Sequence, residues 1–251
     1  MKKISKNLLD KKYFIFDVDG TLIDSMGMWN RVDQEIIYNH TGKKVDLMEI
    51  KAFRDTVIYS YENVQGNIYL IYYAELIKKY GLDMSVAEYD YERSIASGYV
   101  SRNILDYKTG ADNFVKILKG LGKKIGVATT TTRGQYDIYE NQNQTLIRKA
   151  PLRDLVDVKV LCEDVERKKP DPEAYLKVIE CFGCFPEECI VFEDSLNGVR
   201  AGKRAGIEVV SVHDESSLDE IEEIEKLADY KVDSFDELIE LLGLNEDLDK
   251  E

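Results

Sequence analysis

The period of the apolar positions changes along this chain, and the change divides it. Tyr13-Phe14-Ile15-Phe16 is a run of four apolar residues, aromatic and β-branched. Too short and too β-prone for a helix, it predicts a buried strand. From residue 22 to about 106 the spacing becomes helical. Trp29, Val32 and Ile36 form one stripe that ends near Gly42, and Ile68, Ile71, Tyr72, Leu76 and Tyr80 form another, closed by Gly81. Ser85-Val-Ala-Glu88 has the capping-box spacing of a further helix start. No strand signal interrupts this stretch, which has no proline and 10 of the 16 tyrosines. The tyrosines are expected mainly as packing between helices.

From Gly110 onward, helices and strands alternate. Helix is predicted over 110–120, strand over 124–128, helix from Arg133 to about Lys149 and strand from Val156 to Cys162. Asp171-Pro172 opens a helix that stops at Gly183. Strand over 189–192, helix from Ser195 to about Ala205, strand over 207–212 and a last helix from Ser234 to Gly243 follow. Strands separated by helices argue for a parallel sheet covered by helices. The expected organisation is an α/β core on residues 1–22 and 106–251, with a helical domain on 23–105 inserted after the first strand.

In such sheets ligands bind outside the carboxyl ends of the strands, so the residues there matter most. The first strand ends in Asp17-Val-Asp19-Gly20-Thr21. Neighbouring side chains of an extended chain point to opposite faces, which puts residues 17 and 19 on the same side. Two like charges so placed repel unless a cation lies between them or one holds a proton. Hard oxygen ligands at few positions suit Mg²⁺. The strand at 124–128 ends in Thr129-Thr130-Thr131-Thr132, and the strand at 189–192 in Glu193-Asp194; Arg167-Lys168-Lys169-Pro170 precedes the Pro172 helix. Each has a bland reading. Asp19-Gly20 is also a turn dipeptide, and threonines or Glu193-Asp194 also cap helices. Together they gather carboxylates, hydroxyls and an ammonium at one rim.

Composition adds exclusions. The net charge of −14 is uneven: Asp214–Glu251 holds 16 acidic residues and 3 lysines, a net of −13, leaving −1 on residues 1–213. The acidity is expected as a solvated helix face, lying away from that rim. No basic footprint for nucleic acid and no apolar run near the ~20 residues of a membrane span is present. The start lacks a signal-peptide core, and four cysteines without a pairing framework suit a reducing compartment. A cytoplasmic protein is expected. Cys181-Phe-Gly-Cys184 is a lone pair without nearby histidines, a poor zinc site. No heptad or long apolar face demands a partner, so a monomer is expected.

Taken in order, Asp17-Val-Asp19-Gly20-Thr21, Thr129, Lys169-Pro170-Asp171-Pro172 and Glu193-Asp194-Ser195 resemble the four motifs of the haloacid dehalogenase (HAD) superfamily. The insertion after the first motif is similar to that family's helical C1 cap. Gly198, Ala201 and Gly206, with Ala228-Asp229-Tyr230, resemble the β-phosphoglucomutase-like and phosphatase branch. The resemblance implies a Rossmann-like doubly wound core and an Mg²⁺-dependent phosphatase acting on a small phosphorylated metabolite. It implies Asp17 as nucleophile forming an aspartyl-phosphate, Asp19 as general acid and then base, and Thr129, the Thr130 N–H and Gly20 as phosphoryl contacts. Lys169 would neutralise developing charge, and Mg²⁺ would sit on Asp17, the Asp19 carbonyl and Asp194, with Glu193 beyond direct contact. Met28, Trp29 and Arg31, expected in a loop, are candidates for specificity.

Three other readings stand beside this. A sugar phosphomutase of that branch carries a histidine just after the first motif, where Trp29 stands here; the chain has only His40 and His213. A phosphonate hydrolase needs a cap lysine, and residues 22–42 have none. A non-catalytic phosphate-binding module has no use for the acid at Asp19.

Overall fold

Tyr13–Phe16 forms the first strand, β1, in the computed structural model of the chain, which describes residues 3–61 and 67–245. Four helices follow: α1 (Met26–Thr41), α2 (Leu47–Ser60), α3 (Ile68–Tyr80) and α4 (Val86–Asn103). The alternating part runs α5 (Ala111–Gly120), β2 (Lys124–Ala128), α6 (Arg133–Asn141), α7 (Gln144–Lys149), α8 (Leu152–Leu155), β3 (Val158–Val160) and α9 (Glu173–Phe182). It continues with β4 (Cys189–Glu193), α10 (Leu196–Arg204), β5 (Glu208–Val212), α11 (Ile221–Leu227), β6 (Tyr230–Val232) and α12 (Phe235–Leu242). The chain divides into two compact units, Met1–Ser25 with Arg102–Glu251, and Met26–Ser101.

In the first unit all six strands are parallel, in the order β3-β2-β1-β4-β5-β6. Phe16 of β1 lies opposite both Val127 and Phe192. After β3 the chain crosses β1 to begin β4, so the strand order reverses between β1 and β4. That is where an open α/β sheet makes its crevice. Central strands covered on both faces read as continuous apolar runs, and β4 is buried at every position. Phe14, Phe16, Phe114, Phe192 and Phe235 form one aromatic cluster, with Phe16 stacked on Phe192 at 4.7 Å between ring centroids.

The acidic segment is more than a solvated face. It supplies α11, β6 and α12, and buries Ile224, Phe235, Leu238, Ile239 and Leu242. Strand β6 was not expected: it is three residues long and includes Lys231. Residues 246–251 of that segment lie outside the described residues. The helix expected from Arg133 to Lys149 is two, because the Asn143 side chain accepts from the Thr145 and Leu146 N–H groups and restarts the helix. Strand β3 is shorter than the 156–162 expected. The chain leaves and re-enters this unit side by side, Asp24 N–H donating to the Asp106 carbonyl at 3.0 Å and Lys108 N–H to that of Leu22 at 2.8 Å.

The regular elements of the second unit are all helices among its described residues. Helix α2 was unforeseen, since Ile50 and Val57 are its only buried apolar residues, although the Asp46 side chain caps it through the Met48 and Glu49 N–H groups. The tyrosines split. Tyr72, Tyr73, Tyr80 and Tyr89 are buried as packing, while the other six of this stretch are exposed. Tyr72 and Tyr89 donate hydroxyls at 2.9 and 2.8 Å to the fully buried Asp33, which Arg93 also holds at 2.8 Å. Met28, Trp29 and Arg31 lie in the first turns of α1 and not in a loop. Among the described residues no helix is long and apolar enough to cross a membrane.

Candidate active site

The rim of the first unit collects side chains from the three central strands because the ladder carries them there in register. Asp17 N–H donates to the Phe192 carbonyl and Thr129 N–H to the Val160 carbonyl, so both residues sit one step beyond paired positions. Glu193 closes β4 and Asp194 follows it. After Asp19 the chain turns sharply. Gly20 adopts φ 91°, a region that L side chains rarely occupy, and its N–H donates to the Ile23 carbonyl at 2.9 Å. Gly20 thus supplies the turn, with its N–H already engaged. Thr21, fully buried, donates its hydroxyl to Asp194 Oδ1 at 2.6 Å.

Lys169 reaches across all three strand ends. Its Nζ donates to Asp17 Oδ1 at 2.6 Å, to the Ala128 carbonyl at 2.9 Å and to Glu193 Oε1 at 2.5 Å. Only 5% of its side chain is exposed, whereas the neighbouring Lys168 is open to solvent. The two adjacent lysines, equivalent by residue type, are separated by this geometry. Burial acts to lower the Lys169 pKa, but the Asp17 and Glu193 carboxylates outweigh it and hold the ammonium charged.

One carboxylate oxygen from each of Asp17, Glu193 and Asp194 lies within 4.8 Å of the others, the one such acidic cluster among the described residues. The three are not equivalent. Glu193 Oε1 accepts from Lys169 and, at 2.7 Å, from the Tyr175 hydroxyl. Its Oε2 accepts from the Asp194 and Ser195 N–H groups and the Ser195 hydroxyl at 3.1–3.3 Å. That carboxylate is saturated by protein donors. Asp17 Oδ2 and Asp194 Oδ2 accept no hydrogen bond among the described residues. Burial, only partly offset by Lys169, lifts Asp17 to about 7. Burial, then Glu193 and Asp17, raises Asp194 well above the usual carboxylate range.

With all three ionised, three carboxylates against one ammonium leave two negative charges in a buried place. A divalent cation held by Asp17 and Asp194 matches both that charge and the two open oxygens. Asp214, first of the acidic segment, departs from the expectation that this segment stays away from the rim. It is buried just past β5, adds to the upward pressure on Asp194, and is neutralised by Lys108 at 2.8 Å.

Asp19, half-buried, accepts a hydrogen bond from the Thr131 hydroxyl on Oδ2 and from the Tyr139 hydroxyl on Oδ1 at 2.7 Å. Thr131 Oγ1 has a single proton and gives it to Asp19, so the 2.8 Å contact between the two threonine hydroxyls is donated by Thr129. Thr130 is exposed, and its N–H has no partner among the described residues. Sequence reasoning missed Thr131, Tyr139 and Tyr175. The i, i+3 spacing of Tyr136 and Tyr139 marks the buried face of α6, yet says nothing of a partner 120 residues away. Cys184 lies 3.5 Å, sulfur to sulfur, from Cys189 rather than forming a site with Cys181.

The Rhodobacter capsulatus protein CbbY is 27% identical over 80% of this chain and 85% of its own length. Hexitol phosphatase B of Escherichia coli K12 is 27% identical over 91% of this chain and 96% of its own. The crystal structure of a HAD family hydrolase from Deinococcus radiodurans R1, with bound phosphate and sodium, superposes with a TM-score of 0.68 at 23% identity, over 91% of this chain and 93% of that one, and shares the fold. A model of the haloacid dehalogenase-like hydrolases matches residues 11–206. The chain belongs to that family, and it is a hydrolase.

Proposed function

We propose that this hydrolase is an Mg²⁺-dependent phosphatase that releases phosphate from a small phosphorylated sugar or polyol through an aspartyl-phosphate on Asp17. The observation that carries the reading is the triple contact of Lys169 with Asp17, Glu193 and the Ala128 carbonyl at the strand-order reversal. A phosphoryl group brought to Asp17 meets a fixed positive charge there, as electrostatic stabilisation of phosphoryl transfer requires. The names of relatives support the substrate class, since hexitol phosphatase B is named for a phosphorylated sugar alcohol.

In this reading a carboxylate oxygen of Asp17 attacks phosphorus and the bond from phosphorus to the ester oxygen breaks. Asp19 delivers a proton to the departing alkoxide. Asp19 then takes a proton from the water that attacks the phosphoryl-aspartate, freeing phosphate and Asp17. Lys169 neutralises charge on the phosphoryl oxygens, which Thr130 N–H and the Thr129 hydroxyl hold once the latter turns from Thr131. Asp17, the Asp19 carbonyl and Asp194 would hold Mg²⁺, whose charge allows the carboxylates and the phosphate to stay together. Four unpaired cysteines support a cytoplasmic setting, and a monomer is sufficient because every site residue comes from the first unit.

The test is a panel of phosphorylated sugars, polyols and other small metabolites with Mg²⁺ and with EDTA, beside Asp17→Asn. Turnover that needs Mg²⁺ and is lost in Asp17→Asn with unchanged circular dichroism is expected. Equal turnover in the variant would end the nucleophile assignment.

A further inference from the structure

The geometry points to Tyr139, acting with Thr131, as a positioning residue that holds the Asp19 carboxyl for proton transfer to the leaving alcohol. This rests on the acid role of Asp19 proposed above. An aspartate's terminal torsion is broad, so a half-buried carboxyl with one partner sweeps through a range of orientations. Here each oxygen has its own hydroxyl, Tyr139 on Oδ1 and Thr131 on Oδ2, and the two arrive from different places: the last turn of α6 and the loop after β2. Two anchors fix the plane of the carboxyl as well as its position.

Both anchors are themselves held. Tyr139 is fully buried on the inward face of α6. Thr131 is held by its N–H donating to Thr129 Oγ1 at 3.1 Å and by the hydroxyl contact with Thr129. Hydroxyls suit the task because each is donor and acceptor. They donate to the carboxylate and can turn to accept from the protonated acid, so Asp19 keeps its place in both protonation states of the cycle. Phenylalanine at 139 would fill the same space and leave Oδ1 without its donor.

The readout is the dependence on leaving group, which a merely structural role would not move. An alkoxide needs its proton early, whereas 4-nitrophenolate leaves without one. The ratio kcat/KM reports steps up to the first irreversible one, the transfer to Asp17. For Tyr139→Phe, kcat/KM on 2-glycerophosphate is expected to fall about 10- to 100-fold. On 4-nitrophenyl phosphate it should fall at most about threefold. Thr131→Val should behave alike, and Thr131→Ser should restore the wild-type ratio of the two substrates. Equal losses on both substrates in Tyr139→Phe and Thr131→Val, or no loss on either, would overturn the positioning role. Asp19→Asn separates this from failure of the underlying reading. If Asp19→Asn keeps the rate on 2-glycerophosphate, the acid assignment falls and the positioning role with it. If Asp19→Asn loses that rate while Tyr139→Phe and Thr131→Val keep it, the positioning role alone is overturned.

Discussion

Gly198 stands against the carboxylate of Glu193, so close that a Cβ at 198 would fall inside that group, against both of its oxygens. The relationship joins the first turn of α10 to the end of β4. Its N–H also donates to the Ser195 hydroxyl at 3.1 Å, which in turn donates to Glu193 Oε2. Gly198→Ala must therefore displace the Glu193 carboxylate, and with it one of the three anchors of the Lys169 ammonium. A shift of about 1 Å in a positioned group costs on the order of 100-fold in rate. Expected is a loss of that size in kcat on 4-nitrophenyl phosphate with unchanged circular dichroism. Wild-type kcat in this variant would mean that Glu193 does not orient Lys169.

Lys169→Met tests the same network through stability. It removes the ammonium that faces Asp17 and Glu193 and leaves two buried carboxylates uncompensated. Breaking a buried ion pair from one side costs about 3–5 kcal/mol. The urea midpoint in EDTA should fall accordingly, and adding Glu193→Gln should recover part of the loss. A single variant as stable as the wild type would show that these carboxylates take up protons without cost.

How much of this was legible depends on how local each signal is. Strands β1, β2 and β4 announce themselves as short apolar runs because both faces of a central parallel strand are buried. The residues at their ends follow without knowledge of the fold. Lys169 was legible only through the Pro-Asp-Pro beside it, since residue type alone does not separate it from Lys168. Helix α2 has two buried apolar anchors seven residues apart, too sparse a stripe to read. Strand β6 is an edge strand of three residues. Tyr139 shows in sequence as a helical core residue, and its partnership with Asp19 exists only once β1 and β2 are neighbours.

Asp194→Asn should act in opposite directions with and without the cation. Without it, Glu193 and Asp17 press on a buried Asp194, so a neutral amide relieves like-charge crowding and the melting temperature in EDTA should rise. With 100 times its dissociation constant of Mg²⁺, the wild type should gain about 2.7 kcal/mol, because only the folded state offers the site. The variant should lose most of that gain. Thermal melts of both proteins across an Mg²⁺ series measure it, and an undiminished gain in Asp194→Asn would remove Asp194 from the ligand set.

Asp214 gives a stability effect with a defined sign in pH. Burial acts to raise its pKa, but hydrogen bonds from Lys108 at 2.8 Å and from Ser216 outweigh burial and hold it below the usual carboxylate value. A carboxylate lowered on folding binds its proton more weakly in the folded state. It therefore contributes stability above its unfolded pKa, and that contribution drains as pH falls through the folded pKa. Asp214→Asn leaves a largely buried Lys108 without its counter-charge, at a cost of about 1–3 kcal/mol near pH 7. The gap in urea midpoint between wild type and variant should be full at pH 7 and should close below about pH 4, where the wild-type group takes up its proton. A gap that persisted unchanged into acid would assign the effect to packing around the side chain and not to its charge.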